Sequence, residues 1–141
     1  MTSGDVVVAI RATVGKALLV PDYLDGANLT QGTAKVAPGE RLHGSFLLAA
    51  LQSISSQQRF EALSKGATFR EITLDMLRRL PIPLPPSAEQ ADIVDFLNAE
   101  TASVDSLVAQ IRKAIDRLKE LRTALISAAV TGKIDVREEA A

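Results

Sequence analysis

The chain has 141 residues, of which 47% are hydrophobic, and its 16 basic and 17 acidic side chains give a formal net charge of −1. This length suffices for one domain with a buried core, and the charge lacks the basic excess typical of nucleic-acid binders. No cysteine is present, which excludes disulfides and thiolate chemistry and fits a reducing compartment. No apolar run is long enough to span a membrane, so we expect a cytoplasmic protein with no membrane partner.

Three short strands are predicted in the first third of the chain. Residues 4–11 include an uninterrupted β-branched run, which is typical of a buried strand. Two further apolar runs, at residues 16–20 and 32–36, each end in residues that favour turns. The sequence therefore predicts a small sheet that is antiparallel, because the connections between its strands are short.

Helices are predicted from Ser45 onward. A shorter helix is expected over residues 57–64, ending at Gly66, because glycine suits the left-handed position after a helix. Thr73 is placed to cap a further helix over residues 74–79. The first helix would pack on the sheet through apolar residues at helical spacing, which are Phe46, Leu47, Ala50, Leu51 and Ile54.

A proline-rich stretch at residues 80–86 is the clearest boundary in the sequence. Four prolines in these seven residues exclude a helix and favour an extended linker. Ser87 and Gln90 then have the spacing of a capping box, in which the serine oxygen accepts a backbone N–H and the glutamine side chain returns the bond. A helix is predicted to begin here and, at about 1.5 Å per residue, to reach roughly 65 Å before Gly132.

The long helix carries an apolar heptad repeat. A short stripe of this kind also fits a helix packed on its own domain, but four heptads favour a coiled coil with a partner helix. Glu100 interrupts the repeat and predicts looser pairing near the amino-terminal end. The positions predicted to face the partner helix are Leu97, Val104, Leu107, Ile111, Leu118, Leu121 and Leu125, and Ala114 and Ala128 complete the same repeat.

Motifs for catalysis are not found in the sequence. Gly15 and Lys16 lack the flanking residues of a P-loop, and no GxGxxG pattern occurs. His43 is the only histidine, which excludes a two-histidine metal site, and we interpret it as an ordinary loop or helix-start residue. We therefore expect no catalytic residue, no metal and no cofactor. A fragment of an orphan methyltransferase is the enzymatic alternative, and it lacks the motifs that it would need.

Exposed polar residues near the predicted turns are the remaining candidates for function. Lys and Arg neutralise phosphates, and Arg and Gln can bond base edges, so these residue types suit double-stranded DNA. Ordinary solvated turns have the same composition, and this alternative stays open for each residue. The candidates for DNA binding are Arg11, Lys16, Gln31, Lys65, Thr68 and Arg70.

Two groups of motifs resemble one known family. The first group resembles the conserved helical region of the specificity subunits of type I restriction-modification systems; it consists of Pro81-Ile82-Pro83-Leu84-Pro85-Pro86, Glu89-Gln90, Leu118-Lys119-Glu120-Leu121-Arg122 and Val130-Thr131-Gly132-Lys133. The second group resembles the closing half of a target-recognition domain of the same family; it consists of Gly4-Asp5-Val6-Val7-Val8, Val14-Gly15-Lys16, Asn28-Leu29-Thr30-Gln31-Gly32 and Lys65-Gly66-Ala67-Thr68.

The resemblance implies an α+β fold, a small sheet with packed helices followed by a long coiled-coil helix. Its expected parts are a partial DNA target-recognition domain at residues 1–80, a proline linker at 81–86, a spacer helix at 87–131 and a tail at 132–141.

The resemblance also implies a non-catalytic subunit that binds double-stranded DNA at bipartite sites. It would position methyltransferase subunits, which use S-adenosylmethionine, and through them restriction and translocase subunits. Its long helix would pair with a second copy of the chain or with a partner half-subunit. The alternative left open is a truncated remnant that acts only as a coiled-coil dimerisation module.

Overall fold

The computed structural model describes residues 1–64 and 70–135. Within these residues the predicted α+β class is confirmed, with a small antiparallel sheet, packed helices and a long helix after them. The elements in chain order are β1 (Val6–Ala9), β2 (Ala17–Leu19), a 3-10 turn (Asp22–Leu24), β3 (Thr33–Val36), α1 (Gly44–Gln52), α2 (Ile54–Leu63), α3 (Leu74–Arg78) and α4 (Ser87–Val130).

The sheet has the strand order β2-β1-β3, and both neighbours of β1 are antiparallel to it. Val6 and Val8 point to one face of β1 and are fully buried, while Val7 on the other face is only 7% exposed. The central strand is therefore buried on both faces, which is why its sequence shows no polar alternation. The core that contacts α1 and α2 consists of Val6, Val8, Ile10, Ala34, Leu47, Leu51, Phe60 and Ile72.

The break between the first two helices lies nearer the amino terminus than the sequence pattern predicts. Ser53 has an extended backbone that ends α1, and its hydroxyl accepts a hydrogen bond from the Ser56 N–H that starts α2. Ile54 was predicted to belong to the apolar face of the first helix, and this was wrong, because it begins α2 and is 78% exposed. The predicted start of the second helix at Gln57 was late by three residues. Its predicted end at Gly66 lies outside the described residues.

The segment that leads into the long helix packs on the sheet domain. Thr73 caps α3 as predicted, since its hydroxyl accepts from the Met76 N–H at 3.2 Å. The proline-rich stretch forms neither helix nor strand. Leu80 and Ile82 within it are half-buried against the core. The stretch is thus attached to the sheet domain by its apolar side chains.

Gln90 is fully buried and replaces the predicted capping box with a different set of bonds. Helix α4 begins at Ser87, as predicted, but the Gln90 side chain does not return a bond to that residue. Its Nε2 donates to the carbonyl oxygens of Arg41 and Pro85, each at 2.8 Å, and its Oε1 accepts from the His43 N–H at 2.9 Å. A buried amide must satisfy its donors and acceptor, and three nearby backbone groups do so.

His43 has the role predicted for it, a residue at a helix start, because it is the amino-terminal cap residue of α1. Its ring Nε2 also lies 2.7 Å from the Ser87 hydroxyl. The first turn of α4 is thereby joined to the start of α1 by a second polar contact.

Asp5 fixes the chain at the amino-terminal end of β1. Its carboxylate accepts hydrogen bonds from the backbone and hydroxyl of Thr2, and Lys35 lies 3.5 Å away. These hydrogen bonds, more than the lysine, hold the pKa of Asp5 below its ordinary value, because they favour the charged form. The carboxylate therefore remains ionised at neutral pH.

The chain divides into two compact units, Met1–Phe96 and Leu97–Ala141. The first unit contains the sheet, helices α1 to α3 and the opening turns of α4. The second contains the rest of α4 and the segment after it. The boundaries expected at residues 80, 86 and 131 stay predictions.

Gly15 allows a close approach that a side chain would prevent. It has φ +86°, and a Cβ atom there would lie 2.6 Å from the Phe60 ring. We expect Gly15→Ala to lower the free energy of unfolding by about 2–4 kcal/mol through backbone strain and overpacking. Urea unfolding should measure this. Gly26→Ala is the matched control, because Gly26 also has a positive φ but no atom near the added Cβ. Equal losses for the two variants would contradict the proposed contact with Phe60.

Gln90→Glu should destabilise the first unit by about 3 kcal/mol or more at neutral pH. The substitution keeps the size of the side chain but removes two donors and places a carboxylate against two carbonyl oxygens in a buried position. Thermal unfolding should show the loss. Gln58→Glu, at an exposed position of α2, is the control and should leave the melting temperature nearly unchanged. A Gln90→Glu protein as stable as this control would contradict the buried position of the amide.

Candidate nucleic-acid interface

Antiparallel pairing brings the carboxyl end of β1 next to the amino ends of β2 and β3. The Ala9 N–H donates to the Lys16 carbonyl at 2.8 Å, and the Ile10 N–H donates to the Gly32 carbonyl at 3.0 Å. These bonds join the segments at one end of the sheet. The predicted site residues in these segments are Arg11, Lys16 and Gln31.

Arg70 reaches the same end through a short pairing of residues 10–12 with 70–72. The Ala12 N–H donates to the Arg70 carbonyl and the Ile72 N–H to the Ile10 carbonyl, each at 3.0 Å. The structure thus brings together the four predicted residues that it describes, and all four side chains are exposed. The other two predicted residues, Lys65 and Thr68, lie outside the described residues.

Arg11 forms an ion pair at this end of the sheet that the sequence did not indicate. Its Nε lies 2.8 Å from Oε1 of Glu71, and the two side chains are 50% and 44% exposed. The backbones of the same two residues also form an antiparallel bridge. No local pattern connects residues 60 positions apart, so sequence reasoning had no signal for Glu71.

The backbone beside Arg11 is strained. Ala12 has φ +59° and is, among residues 1–64 and 70–135, the one non-glycine residue with a positive φ. This conformation costs an alanine about 1–2 kcal/mol. Residues held in such conformations concentrate at binding and catalytic sites. The Ala12 N–H bond to Arg70 helps to hold the turn.

The turn that carries Lys16 is held by a side chain of α2. Gln57 donates from Nε2 to the Gly15 carbonyl at 3.1 Å and to the Leu51 carbonyl at 2.8 Å. Gly15, Lys16 and Gln57 help to line a shallow cavity of about 300 Å³. The side-chain amide therefore positions the backbone from which Lys16 extends, and sequence analysis did not single it out.

The local charge at this end differs from that of the whole chain. Arg11, Lys16 and Arg70 bring three positive charges to the end of the sheet where Glu71 carries a negative one, whereas the chain as a whole carries −1. A local excess of positive charge attracts phosphate groups even when the net charge of the whole chain is close to zero. The arrangement can hold a phosphate backbone and present an amide and a guanidinium to base edges.

The second unit presents the predicted apolar repeat of α4 on its surface. The seven residues predicted to face a partner helix are 40–64% exposed. Isolated apolar side chains on a surface are ordinary, whereas large exposed apolar patches are typical of interaction surfaces. The residues are Leu97, Val104, Leu107, Ile111, Leu118, Leu121 and Leu125.

Residues 1–64 and 70–135 contain neither a metal-binding cluster nor a membrane-spanning helix. No group of three or more His, Asp or Glu side chains there is arranged to hold a metal ion. None of the helices in this part of the chain is long and apolar enough to cross a membrane.

Comparison with known proteins identifies the family. The profile described as the type I restriction modification DNA specificity domain matches residues 1–117. The chain therefore belongs to this family of DNA specificity domains. Membership in this family confirms the resemblance found in the motifs.

Individual relatives agree with the family match. The chain is 30% identical over 134 residues to a Methanocaldococcus jannaschii protein assigned as the type I restriction enzyme MjaX specificity subunit, covering 94% of this chain and 29% of the relative. It is 31% identical over 97 residues to the type I restriction enzyme EcoKI specificity subunit of Escherichia coli K12, covering 69% of this chain and 21% of the relative.

A solved structure shares the fold. It was determined to explain complex assembly and conformational transition of a type I restriction-modification system, and one of its chains superimposes with a TM-score of 0.78 at 30% identity. The match covers 92% of this chain and 31% of the other. The chain thus spans less than a third of the length of each of these three proteins.

Proposed function

We propose that the chain supplies part of a DNA-recognition surface and the spacer helix of a type I specificity subunit. In this role it would place methyltransferase subunits and, through them, restriction and translocase subunits on bipartite sites of double-stranded DNA in the cytoplasm. The observation that carries the proposal is the convergence of Arg11, Lys16, Gln31 and Arg70 at one end of the sheet, in a chain of the DNA specificity family.

The residues at this end of the sheet have different roles in DNA binding, according to their side-chain chemistry. Lys16 and Arg70 contact phosphates, which supply most of the affinity and no sequence information. Arg11 and Gln31 have the fork-shaped or amide groups that bond base edges. Lys65 and Thr68 are proposed for the same surface on the strength of the sequence motifs alone.

The apolar stripe of α4 provides the second part of the proposed function. Burial of a side chain such as Ile111 or Leu118 against another helix is favourable by about 1.5–3 kcal/mol. A second copy of the chain or a partner half-subunit supplies that helix. The pairing then fixes the spacing between two recognition surfaces, and the methyltransferase subunits dock beside it.

A module that acts only as a helical scaffold is the second candidate. The observation that favours it is the exposure of the apolar repeat between Leu97 and Leu125, because helix pairing through this repeat requires no DNA contact. The two candidates differ in one measurable property. A scaffold pairs through α4 but leaves DNA affinity unaffected by changes at Arg11 or Lys16.

Ile111→Asp tests the helix pairing. The substitution buries an unpaired charge in place of an apolar side chain and should weaken self-association by several kcal/mol. Analytical ultracentrifugation of the parent at tens of micromolar should show a dimer, which the variant loses. Ser106→Asp is the control, because it adds the same charge at an exposed position outside the repeat. A parent that stays monomeric at this concentration while α4 is helical contradicts self-pairing.

Lys16→Ala tests the DNA surface. Loss of one phosphate contact should reduce the slope of log affinity against log salt concentration by about one unit. Fluorescence anisotropy across a salt series, with the chain assembled with methyltransferase subunits, measures this slope. Gln31→Ala should instead change the preference among DNA sequences and leave the slope nearly constant.

Lys35→Ala is the matched control for the salt series. Lys35 carries the same charge as Lys16, but it pairs with Asp5 at the opposite end of β1. Its removal should leave the slope unchanged. Alanine variants of Arg11, Lys16, Gln31 and Arg70 that all match the parent in slope and in sequence preference would eliminate the proposed DNA surface and favour the scaffold.

A further inference from the structure

The guanidinium of Arg11 is bound on one side only. Glu71 accepts from Nε at 2.8 Å. Among the described residues, no hydrogen bond is made by either terminal nitrogen of Arg11. The contact with Glu71 thus favours one orientation of the guanidinium, in which its two terminal N–H₂ groups remain available in the guanidinium plane.

The position from which this side chain extends is also fixed. Ile10 donates to Gly32 and accepts from Ile72, and the Ala12 N–H donates to Arg70, so Arg11 is held by backbone bonds on both sides. The left-handed conformation of Ala12 turns the chain immediately after it. The backbone of Arg11 is therefore already ordered, and only its side-chain torsions remain to be fixed when it makes a directional contact.

Two parallel N–H donors match one base in the major groove. Guanine presents two acceptors there, O6 and N7, whereas adenine presents one acceptor and one donor. A guanidinium whose terminal nitrogens face outward therefore favours guanine. A phosphate can also accept both donors, so a guanine contact is distinguished by its dependence on the N7 acceptor.

We infer that Glu71 is a positioning residue that orients Arg11 to recognise a guanine in the major groove, an inference that rests on the proposed function. The carboxylate has a second effect, because it repels phosphates and lowers the affinity for DNA in general. Glu71 thus raises the ratio of specific to non-specific binding by both routes. Its ion pair with Arg11 is half exposed and contributes little to folding, so variants at this position keep the fold.

The test uses the full chain assembled with methyltransferase subunits. Selection from a random duplex library first identifies the preferred sequence. Each guanine in it is then replaced by 7-deazaguanine, which keeps base pairing but lacks the N7 acceptor. With the parent, one such replacement should reduce affinity roughly tenfold or more.

Two variants should abolish that response in different ways. Arg11→Ala removes both the charge and the paired donors, so the 7-deazaguanine effect should disappear together with part of the affinity for random DNA. Glu71→Ala should lose the same effect and, at low salt, bind random DNA more tightly than the parent. Glu61→Ala removes an equal charge from an exposed position of α2 and should leave the effect in place.

The outcomes separate this inference from the proposed function. A selective parent whose 7-deazaguanine response survives in Glu71→Ala or in Arg11→Ala overturns the role of the pair and leaves DNA recognition standing. The role of the pair is also overturned if the parent prefers one sequence but keeps its affinity after every 7-deazaguanine replacement. A parent assembly with no sequence preference overturns the proposed function, and the inference with it.

Discussion

The buried side-chain amide of Gln90 connects three parts of the first unit. It bonds the loop before α1 at Arg41 and His43, the end of the proline-rich stretch at Pro85, and, through its own backbone, the first turn of α4. None of these backbone groups has a partner of its own element at that point, so the amide replaces the water that would otherwise solvate them. The opening of the long helix therefore depends on the loop before α1, and the loop depends on the helix.

The elements of the fold were predictable where a local pattern determines them. The β-branched run around Val7, the cap at Thr73 and the proline stretch before Ser87 each identify their element without reference to the rest of the chain. Prediction failed where a polar residue had two possible roles. Ser53 lies within a pattern of helical spacing, but it caps a new helix. Gln90 has the spacing of a capping residue, but its side chain donates to the Arg41 carbonyl in the loop before α1.

The candidate site was predictable in part for the same reason. Turn residues such as Arg11 and Lys16 can be located from the strands that they follow or precede, and the antiparallel order then places them together. Glu71 and Gln57 act on those residues from far along the chain, through a side-chain ion pair and a bond to a backbone carbonyl. Such partners are determined by tertiary packing, and one sequence contains no periodicity that indicates them.

The hydrogen bond from the His43 N–H to the Gln90 side chain makes this amide a probe of how often the start of α4 opens. Most backbone amides in loops exchange their hydrogen with water quickly, whereas those held by a buried acceptor exchange only when that part of the structure opens. The acceptor for His43 belongs to α4 and lies 47 residues away. The exchange rate of this one amide therefore follows the local opening of the helix start, and it does so without any label or substitution in the helix itself.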